Sequence, residues 1–206
     1  METRLIVGLG NHGREYERTR HNAGFLVVEE WARRVGVDFS ENRRMDGWVA
    51  EWRKGDKKWI ALKPATYMNL SGRSVVAALN FWKLEVKSML VVVDDVELPL
   101  GELRLRSSGG DGGHNGLKSI ITGVGKTDFC RLRMGVGRPP TGLPVDLADW
   151  VLGKFEKSEL ICFEDSIRTA VSAIDVWGED GVVKAMNRFN GTGSRPLSSS
   201  CGAPKK

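Results

Sequence analysis

The fold class this sequence predicts is α/β: a single three-layer domain with a mixed, mostly parallel twisted central sheet flanked by helices. Three observations lead there. Short β-branched runs, Leu5-Ile-Val7 and Met89-Leu-Val-Val-Val93, read as strands buried on both faces. Segments with apolar residues at helical spacing are interleaved with such runs along the chain. The length of 206 residues suits one domain, and at that size folding buries about 70% of the unfolded chain's surface without help from disulfides or a structural metal.

The elements follow in order. Residues 5–8 form the first strand, and residues 23–35 a helix whose Phe25, Val28, Ala32 and Val35 fall on one face. Two aromatic-rich runs, 47–53 and 58–62, flank Lys54-Gly-Asp-Lys57 as a hairpin. Val75, Val76, Leu79 and Trp82 mark a second helix, and the strand at 89–93 ends at Asp94-Asp95. Leu103 and Leu105 alternate with Arg104 and Arg106, as Leu132 and Met134 do with Arg131 and Arg133, the period of half-exposed strands. Between these two runs lies the loop Gly109-Gly-Asp-Gly-Gly-His-Asn-Gly116. Leu160, Phe163, Ile167, Ala170, Ile174 and Trp177 define a long late helix, and residues 182–189 a short last one. The domain is expected to span residues 1–190. Residues 191–206, rich in Gly, Ser and Pro without an apolar period, are expected to form a mobile tail.

Several function classes fall away. The longest aliphatic stretches are five residues, against the roughly 20 needed to span a bilayer, so no membrane segment is expected. The start runs directly into a strand and lacks the flanks of a secretory signal, which points to the cytoplasm. Cys130, Cys162 and Cys201 are odd in number and widely spaced, which argues against a disulfide or zinc framework. The formal charge is +5, and residues 101–140 carry seven Lys or Arg against three Asp or Glu. A localised basic zone is what a polyanion-binding surface requires.

Candidate chemistry concentrates in polar loops. Gly8-Leu-Gly-Asn-His-Gly13 matches a dinucleotide-binding glycine pattern after a strand, yet the apolar period of the next helix begins only near Ala23, and no acidic residue closes a second strand at the expected distance. A nicotinamide cofactor is therefore not expected. The histidines His12, His21 and His114 each sit in a loop with Asn and Gly, where catalytic groups tend to lie. Asp94-Asp95 ends a strand at the carboxyl edge of the sheet; one carboxylate there can orient a histidine, and Asp94 reads as a turn starter. Asn11, Asn69 and Asn115 are amides able to hold carbonyl groups or an oxyanion without adding charge. No nucleophile elbow, Cys-His neighbourhood or metal-ligand motif is present, so the expected chemistry is metal-free and cofactor-free activation of water against a labile bond such as an ester.

Six blocks together resemble bacterial-type peptidyl-tRNA hydrolase. They are Leu5-Ile-Val-Gly-Leu-Gly-Asn11, Thr19-Arg-His-Asn-Ala-Gly24, Lys63-Pro-Ala-Thr-Tyr-Met-Asn-Leu-Ser-Gly72, Asp94-Asp-Val-Glu-Leu-Pro99, Gly112-Gly-His-Asn-Gly-Leu117 and Phe129-Cys-Arg-Leu-Arg-Met-Gly-Val-Gly137. The resemblance implies a monomeric cytoplasmic esterase acting on peptidyl-tRNA. It implies His21 as the base, Asp95 as its orienting carboxylate, Asn11 and Asn69 as positioners of the peptide and ester, and Asn115 as holder of the water. Tyr16, Tyr67, Met68 and His114 would join Asn69 and Asn115 against the substrate. Arg106 and Arg133 match the family's phosphate-holding pair, with Arg104 and Arg131 beside them. The 109–116 loop and residues 145–155 would line the entrance to the peptide cleft. Three departures stand out: His12 in place of a proline, Asp94 in place of a bulkier residue before the aspartate, and Asp111 in the glycine-rich loop. A plant chloroplast RNA-splicing cofactor of this fold resembles the same blocks and is thought to act as a binding protein, which leaves a non-hydrolytic scaffold as the second reading.

Overall fold

A computed structural model of the chain describes residues 2–140, 142 and 145–190. The expected tail at 191–206 lies outside the described residues. The strands are β1 (Glu2–Gly8), β2 (Ser40–Asn42), β3 (Gly47–Lys54), β4 (Lys57–Pro64), β5 (Met89–Asp95), β6 (Leu103–Arg106) and β7 (Cys130–Gly135). They form one sheet in the order β2-β3-β4-β1-β5-β7-β6. The core β4-β1-β5-β7 is parallel, while β2, β3 and β6 join it antiparallel at the edges. The mixed sheet with a parallel core is thus present. Helices α1 (Ala23–Val35), α5 (Lys157–Asp180) and α6 (Val182–Phe189) cover one face, and α2 (Ser71–Trp82) and α3 (Asn115–Val124) the other.

Strand parity decides what faces what. Leu90 and Val92 of β5 lie in the core with α1, α5 and α6, whereas Met89, Val91 and Val93 lie in the core with α2 and α3. Asp94 therefore continues toward the α1 side and Asp95 toward the α3 side. On the second face the buried apolar cluster contains no residue of β6 or β7. That stretch of sheet surface is where Arg104, Arg106, Arg131 and Arg133 project, since Arg104 registers with Arg133 and Arg106 with Arg131.

Elements absent from the sequence reading are the short edge strand β2, α3, and a six-residue helix α4 (Leu147–Leu152). The first loop's glycines prove to serve packing. A Cβ on Gly8 would sit 2.4 Å from the Gly24 carbonyl oxygen, and one on Gly24 would sit 2.4 Å from Leu9 N and Val92 O. Only glycine lets the start of α1 press onto the ends of β1 and β5 in this way. That approach carries the preceding 3-10 turn, Arg20–Asn22, to the carboxyl edge of the sheet.

Candidate active site

A groove of about 720 Å³ opens along that carboxyl edge. Its wall includes Asn11 from the loop after β1, His21 from the 3-10 turn, and Tyr67, Met68 and Asn69 before α2. Asp94 and Asp95 of β5, residues 111–115, Arg133 of β7, and Leu147, Ala148, Val151 and Leu152 of α4 also line it. Tyr67 and Asn69 are exposed, Met68 is buried beneath them, and Asn115 is exposed as the first residue of α3. Both of the expected entrance segments, the glycine-rich loop and α4, border this groove.

His21 is bonded to Asp94. Its Nδ1 lies 3.0 Å from each carboxylate oxygen. Asp94 is 5% exposed and also receives His114, whose Nε2 lies 3.0 Å from Asp94 Oδ1. Here the expected partner is corrected: Asp95 turns to the other face, where it ion-pairs with Arg133 and accepts the Glu97 N–H at 2.9 Å. The reason is the two-residue period of β5, which sends adjacent side chains to opposite faces.

The bonding fixes proton positions on both rings. His114 caps α3, its Nδ1 accepting the N–H groups of Gly116 at 3.1 Å and Leu117 at 3.3 Å. That nitrogen must carry a lone pair, so the His114 proton is on Nε2 and is donated to Asp94. His21, facing the same carboxylate through Nδ1, carries its proton there and keeps the Nε2 lone pair. Burial pulls the His21 pKa down, but attraction to Asp94 and the hydrogen bond to it outweigh this, and the net shift is upward. Burial would raise the Asp94 pKa; the attraction of His21 and His114 and their hydrogen bonds overcome it and hold the carboxyl well below the usual range.

The asparagines are held differently. The Asn11 N–H donates to Asn22 Oδ1 at 2.8 Å, and Asn22 Nδ2 donates to the Asn11 carbonyl at 3.0 Å. The Met68 N–H donates to Asn11 Oδ1 at 2.9 Å, which leaves the amide NH₂ of Asn11 as its free end among the described residues. Asn22, absent from the expected site residues, is thus the buried clamp that fixes Asn11.

Two further expectations are corrected. Arg131 does not face solvent: it is 2% exposed, and its guanidinium donates to the carbonyls of Gly109, Gly110, Thr127 and Phe129. It fastens the stem of the glycine-rich loop to the segment before β7. Tyr16 ends a 3-10 turn, Arg14–Tyr16, that lies outside the residues lining the groove. Arg106 is exposed, Arg133 lines the groove, and Arg104 is held by Glu102 at 2.8 Å. His12 sits in a separate hollow with its ring 4.8 Å from that of Trp48.

The fold also assembles a set of candidate metal ligands that no sequence spacing reveals. One ligand atom each from His21, Asp94 and His114 lies within 4.8 Å of the others. A cation there would replace the two protons that the rings now donate to Asp94.

A family model described as peptidyl-tRNA hydrolase matches residues 5–197. The chain belongs to the peptidyl-tRNA hydrolase family. It is an enzyme of that family. A peptidyl-tRNA hydrolase of Syntrophomonas wolfei is 46% identical over 187 residues, covering 91% of this chain and all of that protein. One from Desulfitobacterium hafniense is 47% identical, with 91% and 99% covered. The crystal structure of the Acinetobacter baumannii peptidyl-tRNA hydrolase matches with a TM-score of 0.84 at 36% identity, over 92% of this chain and 95% of that one. Among the described residues no helix is long and apolar enough to cross a membrane.

Proposed function

We propose that this enzyme cleaves the ester between a peptidyl or N-acyl-aminoacyl group and the terminal ribose of tRNA, using water activated by His21. The observation that carries the reading is the bonding of the two rings around Asp94. Of the histidines at the groove, only His21 has a ring nitrogen left without a partner among the described residues, because both nitrogens of His114 are engaged. A water in the groove gives its proton to His21 Nε2 and adds to the ester carbonyl. Buried Asp94 stabilises the imidazolium that forms. The amides of Asn11, Asn69 and Asn115 supply donors for the peptide carbonyl and the developing oxyanion, each worth about 10²–10³ in rate. The imidazolium then returns its proton to the departing ribose oxygen.

The RNA belongs on the other side of Asp94. Arg133 inside the groove and exposed Arg106 beyond it stand on the stretch of sheet that no apolar cluster of the described residues covers, and they supply the phosphate grip, with Arg104 alongside. We place the enzyme in the cytoplasm as a monomer, and the scheme needs no metal. The test is release of free tRNA from an N-acyl-aminoacyl-tRNA by the purified chain. Turnover in the wild type that His21→Ala nearly abolishes, while His12→Ala leaves it in place, supports the proposal. Absence of turnover with RNA binding intact would mean a binding protein.

A further inference from the structure

His21 shares its 3-10 turn with a buried cation that the hydrolytic scheme leaves unused. Arg20 is 1% exposed. Its guanidinium carbon lies 3.9 Å from the centre of the Trp150 ring and 4.6 Å from that of Phe155, and Nη2 donates to Glu159 Oε2 at 2.8 Å. The Arg20 N–H donates to the Gly153 carbonyl at 3.0 Å, and Thr19 forms an isolated bridge with Lys154. These partners lie on α4, on the chain that leads from it into α5, and in the first turn of α5. Trp150 belongs to α4, whose Leu147, Ala148, Val151 and Leu152 line the groove, and its indole N–H donates to the Gly137 carbonyl at 2.7 Å. One short helix therefore borders the substrate space and stacks on the residue next to His21.

An arginine is a costly way to fill this space. Its Nε and Nη1 are buried with no hydrogen-bond partner among the described residues, and an apolar side chain of similar volume would avoid that desolvation. What the guanidinium adds is direction. A planar cation between two rings, tied to a carboxylate, fixes both distance and angle between the elements it joins.

We propose that Arg20 is a positioning residue which couples the seating of α4 to the alignment of the His21 ring against Asp94, so that an acyl chain resting on α4 tightens the base it is about to meet. The inference rests on the hydrolase reading of the groove. It makes α4 a sensor of the acyl group, with Trp150 and Arg20 as the mechanical link.

The test uses the full chain with Arg20→Gln and Trp150→Leu. The ionisable groups that touch the His21 ring are Asp94 and His114, and neither is altered. Followed by NMR without substrate, His21 should titrate at lower pH in Arg20→Gln than in the wild type, because a ring that slips from Asp94 loses the carboxylate's attraction and keeps its burial. The value of kcat per folded molecule should fall about 10²-fold, the scale of a misplacement near 1 Å, with KM changed less than about 3-fold. Trp150→Leu should reproduce both effects, and the double variant should lose little more. Unchanged His21 titration and kcat in the single variants, or fully additive losses, would overturn the coupling. So would a loss of thermal stability alone with kcat per folded molecule intact. If Arg20→Gln fails to fold, Trp150→Leu decides by the same two readouts. Failure of the hydrolase reading is seen separately, as no tRNA release by the wild type, while the His21 titration stays measurable.

Discussion

Replacing Asp94 with Asn keeps the shape of the side chain and removes one acceptor and the charge. His114 constrains the outcome, because its Nδ1 is held by the Gly116 and Leu117 N–H groups and its Nε2–H needs an acceptor. The carbonyl oxygen of the introduced amide therefore turns to His114, and the amide NH₂ faces His21 Nδ1, which lies 3.0 Å from the carboxylate in the native pair. His21 Nδ1 lies 3.0 Å from both carboxylate positions, so a donor at one of them and loss of the charge shift the ring toward the tautomer protonated at Nε2, in which the lone pair that takes the water's proton is lost. An equivalent tautomer switch in a His-carboxylate pair costs about 10⁴ in kcat, and a fall of about 10³–10⁴ is expected here. Asp95→Asn, which alters only the Arg133 contact and the Glu97 turn, should change kcat by less than about 10-fold. The assay is single-turnover release of tRNA from an N-acyl-aminoacyl-tRNA across pH. In the wild type the rate should rise with pH and level off above a pKa higher than the ordinary histidine value of 6.5, because only neutral His21 accepts a proton and Asp94 raises its pKa. Asp94→Asn activity within about 10-fold of wild type, or an equal loss in Asp95→Asn, would refute the reasoning.

Other residues separate by role. Arg133→Ala should raise KM and lower the slope of log affinity against log salt by about 1, measured by titrating binding at several salt concentrations; an unchanged slope removes its phosphate contact. Arg131→Ala should leave that slope alone and lower stability by about 2–4 kcal/mol, read from urea unfolding, because it strands carbonyls at the base of the glycine-rich loop. Exhaustive chelation should leave tRNA release unchanged; loss of activity restored by a divalent metal would show that His21, Asp94 and His114 act as ligands instead of a proton network.

The layers and most elements were legible because their signals are local. The α1 prediction matches the observed Ala23–Val35, and the hairpin, the arginine-bearing strands and the long α5 follow from periodicity alone. Helix α3 escaped the sequence reading although Leu117, Ile120, Ile121 and Val124 stand at helical spacing, because the glycine run before it hides the start and a histidine is an unusual cap. Helix α4 is six residues, too short for a period to declare itself. Strand β2 is a three-residue edge.

The site shows where linear reading stops. His21 and the asparagines stand in recognisable loops, and the fold brings them to one groove. The choice between Asp94 and Asp95 needed parity: Val92 faces α1, His21 leads into α1, and Asp94 is in phase with Val92. That signal was present in the chain once the helix was assigned to a face. Arg131 and Arg133 are also in phase on one strand, yet one is buried beneath the glycine-rich loop and the other lines the groove. No spacing rule separates them, because the burial comes from a loop that folds back over the sheet. The bond between Arg20 and Glu159 likewise joins residues 139 positions apart.

Which nitrogen of His21 holds the proton decides whether the ring can serve as the base, and ¹⁵N chemical shifts of the imidazoles near pH 8 measure this directly. We expect His21 to be protonated at Nδ1 and bare at Nε2, with His114 the reverse. A His21 protonated at Nε2, or one whose shifts respond to Asp95→Asn and ignore Asp94→Asn, would contradict it.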